Sequence, residues 1–437
     1  MVTHDSAADR AARYDLAREC IEAGVAAADP ERAVTDQLSL DGESLTAGEW
    51  TVDLAGYDRV VVAGGGKASA AVTRGLVAVL GERLDDGLVV TDGDDAGTDP
   101  VDVALGDHPV PSERNVAATD RLCDLLDAAD ERTLVLAPVT GGGSALLAAP
   151  TVPLGEFRDL TEALVESGAT INEINAVRKR LSRVKGGRLA ARAAPATVLA
   201  LLVSDVVGDD PATVASGPFT PDETGVDEAL AVLSRYDVDA SDAVRQAVET
   251  ATTHAGPFEH VHTHLLASGR TAIDAAADRA REAGYDPLVL SSRMRGEARE
   301  LALAHVAVAE EVLASGDPAP PPLALLSGGE LTVTVRGDGV GGPNLEFALA
   351  AALECPPHVT LVSVDTDGRD GGTDVAGAAV DSATVEDVAR ARQSLASNDT
   401  LPHLGERDAL LTVDSATNVN DLRVVLVDAP ERLEESS

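Results

Sequence analysis

The stretch Val60-Val-Val-Ala-Gly-Gly-Gly-Lys-Ala-Ser69 decides the fold class. Three valines and an alanine make a strand, three glycines make a turn, and Ala68–Leu80 carries the apolar periodicity of a helix. A strand that passes through a glycine turn into a helix is the opening unit of a parallel sheet. It aims the strand's C-terminal end and the free N–H groups of the helix at one place, where an anion is favoured. The pattern recurs where Thr133–Ala137 leads into Thr140-Gly-Gly-Gly-Ser-Ala145. Further apolar runs at Arg59–Ala63, Gly87–Val90 and Thr197–Val203 alternate with helical periodicity at Asn115–Ala129 and Leu154–Ser167, which predicts a parallel sheet covered on both faces.

The second half continues the alternation. Strand-like runs lie at His262–Ala267, Pro287–Leu290, Leu323–Leu326, Thr360–Val364 and Val424–Val427, and helical periodicity lies at Thr271–Ala283 and Gly296–Ala314. Ser6–Ala28 reads as a helix ahead of the first strand. The class is α/β, and the expected architecture is two α/β/α domains with mainly parallel sheets, residues 1–255 and 256–437. Gly316-Asp-Pro-Ala-Pro-Pro-Pro322 is a stiff, extended joint within or between domains. Leu331-Thr-Val-Thr-Val335 alternates apolar and polar residues after Gly328-Gly329, as a hairpin or edge strand does.

The 437 residues suffice for two or three domains, and 44% hydrophobic residues exclude wholesale disorder. Acidic residues number 74 against 34 basic ones, a net charge of −40 that opposes binding to phosphate backbones and anionic lipid. Nucleic acid and membranes are therefore not expected partners. Lys67, Lys179 and Lys185 are the only lysines; every other basic residue is arginine. This composition resembles that of haloarchaeal cytosolic proteins, whose dense surface carboxylate keeps them hydrated in high salt. Cys20, Cys123 and Cys355, odd in number and far apart, build neither a disulfide framework nor a thiolate metal site. No export or spanning segment is visible, and a cytoplasmic location is expected.

Several turns carry chemistry. Gly64, Gly65, Gly66 and Lys67 are not a Walker A loop, because Val61 stands at its first glycine and Ala68 at its Ser or Thr. They approach the dinucleotide pattern G-x-G-x-x-G, with Ser69 at the third glycine and Asp92 about where a ribose-binding acid would stand; a plain tight turn fits as well. Lys67 singles the site out, since a compact ammonium at the phosphate end of a strand–helix turn can follow a phosphoryl group in flight. Gly141, Gly142, Gly143 and Ser144 make a second cradle of N–H donors. Leu146 occupies the glycine position that a nucleophile elbow needs, so a serine hydrolase is not expected.

Asp205 and Asp209, in Ser204–Asp210, suit Mg2+, which takes one or two acids and fills its shell with water and phosphate oxygens. Asp367, in Val364–Asp374, is a second such candidate, although acidic turns in this chain are also ordinary solvated surface. A basic island at Asn175–Arg188, with Arg178 and Lys185, is either the place for an anionic substrate or a salt-bridged helix. His108, in a turn stiffened by prolines, contacts substrate or caps the turn. His260, His262 and His264 alternate on one strand face, but a single row lacks a converging fourth metal ligand.

Taken together, Gly66-Lys-Ala68, His108-Pro-Val-Pro111, Gly141–Leu146, Asn175–Arg178 through Gly187-Arg188, Ser204-Asp205 with Gly208-Asp209, Ala215–Pro218, Ser327–Glu330, Asp367-Gly368 and Thr417–Asp421 resemble the type II glycerate kinases. Chains of that family join an N-terminal glycerate-kinase domain to a C-terminal MOFRL domain. The resemblance covers nearly the whole chain, in order. It implies ATP- and Mg2+-dependent phosphorylation of D-glycerate, with 2-phosphoglycerate the favoured product, in a cleft between two α/β domains. The expected partners are glycerate and a nucleotide, with a homodimer as the assembly to test.

Carried over, the family's essential lysine falls on Lys67, where it would neutralise the transferred phosphoryl group. Its Ser-Asp motif falls on Ser204-Asp205, where Asp205 would hold Mg2+ or accept the alcohol's proton. Two departures stand out. Where the family reads Gly-Gly-Arg-Asn-Gln-Glu, this chain has Gly341-Gly-Pro-Asn-Leu-Glu346, which keeps Asn344 but puts Pro343 in place of the arginine; Arg336 or Arg369 is the candidate substitute. Val413-Asp-Ser-Ala416 replaces the usual lead into Thr417-Asn-Val. Two other functions stay open. One is an NAD(P)H-dependent hydroxypyruvate reductase, on the near-dinucleotide turn and Asp92; the other is a catalytically weakened metabolite-binding paralogue, on Pro343.

Overall fold

A computed structural model describes residues 5–93, 96–415 and 417–429; Ala416, part of the altered lead above, lies outside them. The chain divides into two compact units. The N-terminal unit is Pro30–Leu266, and the C-terminal unit combines the described residues up to Asp29 with those from Ala267 onward. This division differs from a cut near Ala255 in two respects: residues 256–266 stay with the N-terminal unit, and helix α1 (Ala7–Ala27), which sequence order places first, is built into the C-terminal unit. The reason is a charged anchor. Arg13 on α1 is buried, with Nε donating to Thr360 Oγ1 at 3.2 Å and its two terminal nitrogens donating to Asp428 and Asp5 at 2.8 Å each. Gly24 completes the fit, because a Cβ there would lie 2.6 Å from Leu422 Cδ2.

In the N-terminal unit, α2 (Pro30–Gln37) and a small antiparallel sheet of β1 (Leu38–Asp41), β2 (Ser44–Ala47) and β3 (Trp50–Asp53) precede the main sheet. There follow β4 (Arg59–Gly65), α3 (Ser69–Leu80), β5 (Asp86–Thr91), β6 (Val101–Leu105), α4 (Glu113–Asp127) and β7 (Thr133–Thr140). Five helices, α5 (Gly143–Leu146), α6 (Leu154–Glu166), α7 (Ile171–Arg180), α8 (Arg188–Ala193) and, after β8 (Thr197–Val203), α9 (Val226–Arg235), lead to α10 (Asp242–Thr250) and β9 (Val261–Ala267). The main sheet has the order β6-β5-β4-β7-β8-β9, and the ladders from β6 to β8 are all parallel.

All eight residues of β7 are buried, as are six of seven in β4 and β8, because helices cover the sheet on both faces. One face packs Val61, Ala63, Val135 and Ala137 against Leu122, Leu126 and Leu189. Helices α6, α7, α9 and α10 enclose a separate small core of Phe157, Leu164, Val177 and Val232, which the strand-and-helix alternation did not predict.

In the C-terminal unit, α11 (Gly269–Glu282), β10 (Asp286–Glu297), α12 (Ala298–Ser315), β11 (Leu323–Thr332), α13 (Pro343–Ala352), β12 (Val359–Asp365), β13 (Gly377–Asp381), α14 (Val388–Ala396), α15 (Thr400–Gly405), β14 (Leu410–Leu411) and β15 (Asp421–Val427) succeed one another. The sheet order is β10-β11-β15-β12-β13-β14; β10 and β11 are parallel and every other ladder is antiparallel. This sheet is therefore mixed, because the last strand inserts at its centre against the direction of both neighbours. Gly316–Pro322 lies between α12 and β11, so the stiff segment is a connection inside one unit. Leu331 and Thr332 are the end of the interior strand β11, which runs on through Gly328 and Gly329 instead of turning there. Among the described residues no helix is long and apolar enough to cross a membrane.

Arg13→Ala removes one member of a buried ion network and leaves the Asp5 carboxylate, itself buried, without its cation. We expect a loss of about 3–5 kcal/mol of stability for residues 267–429, measured by urea denaturation with a C-terminal-unit probe.

Candidate active site

Strand order reverses between β4 and β7, since β5 and β6 lie on one side of that pair and β8 on the other. In such sheets a crevice opens at the C-terminal ends of the two diverging strands. The Gly64–Lys67 turn leaves β4 there and the Gly141–Ser144 turn leaves β7 there. The two turns are stitched together: Lys67 N–H donates to Gly141 O at 2.8 Å and Ala68 N–H to Thr140 Oγ1 at 3.1 Å. Neither α3 nor α5 is capped by the side chain of its own N-cap residue.

Glycine allows three functional groups to crowd these turns. A Cβ on Gly141 would lie 2.2 Å from Asp205 Oδ2. Gly142 has φ +76°, and a Cβ there would meet Lys67 Cγ at 2.9 Å and His108 Cδ2 at 3.2 Å. Lys67, His108 and Asp205 thus surround two glycines, each arriving from a different strand end. Burial pushes the Asp205 carboxyl above its ordinary range, and a backbone hydrogen bond and the Lys67 ammonium pull it back. Burial and the nearby Lys67 charge depress His108, with Asp92 opposing. A cavity of about 650 Å³ adjoins this cluster, its wall including His108, Gly142, Ser144, Phe157, Arg178 and Asp205.

The basic island divides. Arg178 faces the cavity, donates to Ser144 O at 2.9 Å and lies over the Phe157 ring at 5.8 Å; burial lowers its pKa to about 10. Lys185, a candidate substrate ligand from sequence, is buried instead. Its Nζ donates to Ser144 O at 2.7 Å and to Leu147 O at 3.0 Å, so the ammonium braces the Gly143–Leu146 turn from behind. Lys179 and Arg180 pair with the buried Asp222, and Arg183 pairs with Asp120. Most of the island is thus structural, as its salt-bridged alternative held.

In the sequence Asn175 and Ser216 stand only as parts of motifs. In the fold they form a relay, with Ser216 Oγ donating to Asn175 Oδ1 at 2.8 Å and standing 2.6 Å from Ser144 Oγ. Ala215 and Ser216 hold φ of +50° and +62°, unusual for non-glycine residues and located beside the cavity. The strings Asn-Ala-Val-Arg and Ala-Ser-Gly-Pro gave no periodic signal for this contact. Asp209 lies in the turn after β8 with φ +58°. The three histidines are separately engaged, His260 with Ala190 O, His262 with the Trp50 ring and His264 with Gln37 Oε1; among the described residues no cluster able to hold a metal ion occurs.

The remaining candidates belong to the C-terminal unit. Asn344 is a buried node, with Nδ2 donating to Asp421 at 2.7 Å and to Asp370 at 3.2 Å, and Oδ1 accepting from Ser363 at 2.5 Å. Asp370 caps α13 by accepting from Asn344 N and Leu345 N, and Pro343 opens the helix. Asp367 stands in the following turn and accepts from Arg369 N at 2.8 Å. Asp365 is pushed up to about 8 by burial and by Asp367 and Asp421, and Asp370 to about 6 mainly by burial. Arg336 is exposed, and its backbone N–H is held by Asn398 at 2.7 Å.

Residues 16–249 match the family described as a domain of unknown function, DUF4147, and residues 323–421 match the MOFRL family. The D-glycerate 2-kinase of Thermotoga maritima is 38% identical over 94% of this chain and 98% of its own length. The chain belongs to the type II glycerate kinase family. The crystal structure of a Thermotoga maritima glycerate kinase superposes with a TM-score of 0.86 at 36% identity, covering 95% of this chain and all of that one. An Agrobacterium vitis protein provisionally named a hydroxypyruvate reductase is 36% identical over 96% of this chain and 95% of its own length, so both names occur on relatives of this glycerate kinase chain. Within the family's two modules, Lys67, His108, Arg178 and Asp205 fall in the DUF4147 part and Arg336, Asn344 and Asp367 in the MOFRL part.

Two predictions follow from this geometry. Gly142→Ala combines a left-handed backbone with a methyl against Lys67 and His108; we expect a stability loss of about 1–2 kcal/mol and at least a tenfold fall in turnover, read by thermal melts and steady-state kinetics. Asp365 and Asp370 titrate above their unfolded values, so the folded state holds protons that the unfolded chain releases. Their stabilisation is complete below about pH 4 and is lost as pH rises through 6 and 8. Asp365→Asn should therefore gain stability over the parent by a few kcal/mol between acidic and alkaline urea melts; an equal difference at both ends contradicts the assignment.

Proposed function

We propose that the chain transfers the γ-phosphoryl group of ATP to D-glycerate, with 2-phosphoglycerate as product. The observation that carries this reading is the seating of an ammonium and a carboxylate, Lys67 and Asp205, against the two glycines of a turn at the sheet's switch point. Phosphoryl transfer is chiefly positioning and charge stabilisation, which is what such a site supplies. The Gly141–Ser144 turn cradles phosphate oxygens with backbone N–H groups; the Gly64–Gly66 turn, expected to do the same, already gives its Gly66 N–H to Val90 O and contributes the lysine that follows it. Lys67 stabilises negative charge on the moving group, and Asp205 either takes the proton of the attacking hydroxyl or holds the nucleotide's magnesium. Arg178, the cation in the cavity wall, orients the glycerate carboxylate, and His108, its pKa lowered by burial and by Lys67, donates or accepts at the substrate's hydroxyls.

Magnesium fits this donor set as a nucleotide-borne ion. Mg2+ needs only one or two protein carboxylates beside water and phosphate oxygens, and the raised pKa of Asp205 is what a nearby cation would relieve. When bound, it supplies charge neutralisation on the phosphates, with Asp205 and, in the same turn, Asp209 as its candidate ligands. The reductase alternative is less well supported, because Ser69 at the third glycine position is buried with its hydroxyl donating to Gly66 O at 2.8 Å. The weakened-paralogue reading differs only in rate.

Incubation with ATP, Mg2+ and D-glycerate in high salt, followed by phosphorus NMR, should yield 2-phosphoglycerate. Lys67→Ala, at an exposed position, should keep its melting temperature and lose about 10²–10³ in kcat. An unchanged rate in that variant, or NAD(P)H oxidation by hydroxypyruvate without phosphoglycerate formation, overturns the proposal.

A further inference from the structure

The N-terminal unit carries a second cavity, of about 630 Å³, that shares no wall residue with the first. Four arginines line it, Arg180, Arg183, Arg188 and Arg192, with His254 and a single carboxylate, Asp127. In a chain of net charge −40, this concentration of cations is against the trend of the surface.

Three of these arginines have acidic partners. Arg180 pairs with Asp222, Arg183 with Asp120 at 2.8 Å, and Arg192 with Asp127. Arg188 does not. Its two terminal nitrogens donate to backbone carbonyls, Lys185 O at 2.8 Å and Thr252 O at 2.7 Å, and no ion pair to it occurs among the described residues. The guanidinium is thus pinned between two walls of the cavity with its charge uncompensated. A fixed, unpaired fork of N–H donors is a preorganised receptor for a tetrahedral oxyanion. The neighbouring titrations agree: burial and the charge of Arg180 lower Arg188 to about 10, and burial with Arg188 and Arg180 depresses His254. Around both groups the charges acting are positive.

We propose that the Arg188 cavity is a second anion site, built for a small phosphate-bearing ligand, either free phosphate or a phosphomonoester. Arg188 supplies the fixed fork, while Arg183 and His254 supply further donors from the wall. The volume exceeds what a lone phosphate fills and leaves room for a short organic tail. This proposal is independent of the kinase reading, because none of its residues lines the candidate active site.

The test uses the full chain carrying Lys67→Ala, which removes the ammonium of the other phosphate site, at constant ionic strength. Titration calorimetry with inorganic phosphate and, separately, with phosphoglycerate should show saturable binding of at least one. Adding Arg188→Gln should weaken it tenfold or more. Arg183→Gln, at an exposed arginine, should weaken it as well and guards against a folding defect in the first variant. Ligand should also shift the ring-proton resonances of His254, assigned with His254→Gln. In the binding that Arg188→Gln weakens, tighter binding of phosphoglycerate identifies a phosphomonoester as the ligand, and equal or tighter binding of inorganic phosphate identifies free phosphate. Absence of saturable binding, or binding that neither arginine variant changes, overturns the site.

Discussion

A single crossing organises the N-terminal unit: the N–H of Lys67 on the carbonyl of Gly141, 2.8 Å apart, where two parallel strands part company. Each turn alone is a flexible run of glycines with little reason to hold one conformation. Bound to one another across the switch point, they become a rigid floor. Thr140 reinforces the floor by accepting from Ala68 N–H, and Lys185 braces it from below through Ser144 O and Leu147 O. A cationic side chain can then stand in the open directly above backbone that cannot yield, which is the preorganisation that electrostatic catalysis requires.

Charge is sorted by depth in this molecule. Most carboxylates of the acid-rich chain sit at the surface, where ion pairs such as Arg18–Glu22 and Arg32–Asp36 contribute little. The consequential charges are the buried ones. Arg13 ties α1 into the C-terminal unit, Asp222 neutralises Lys179 and Arg180, and Asp370 caps α13. The basic island illustrates the sorting: one contiguous string of residues is dealt out to a cavity wall, a buried ion pair, a surface pair and a carbonyl brace. Among the described residues two arginines of the island find no acid, Arg178 in the wall of one cavity and Arg188 in the other, and these are left with charge to offer a ligand.

Much of the fold was legible in sequence. The strands Arg59–Gly65, Thr133–Thr140 and Thr197–Val203 lie where uninterrupted β-branched runs put them, because strands buried on both faces admit few polar residues. Short strands, among them Val101–Leu105 and those of the Leu38–Asp53 meander, have no such signature, since four or five residues with polar neighbours carry too little pattern. The mixed C-terminal sheet was also out of reach: an apolar run such as Asp421–Val427 reads alike whichever way its neighbours point. Among candidate site residues, Lys67, His108, Arg178 and Asp205 are gathered at one place, whereas Lys185 and Asn344 became buried braces, because a motif records that a residue is needed but not which way it faces.

Local chemistry along the chain determined the α/β class, the glycine turns after two strands and the identity of the cation beside them, because each depends on neighbours within a few residues. Only the tertiary structure decided that those turns touch, that Asp205 and His108 converge on Gly141 and Gly142, and that helix α1 belongs with residues far along the chain. Those outcomes depend on strand order and on which buried charge finds which partner, and neither is written in the spacing of residues.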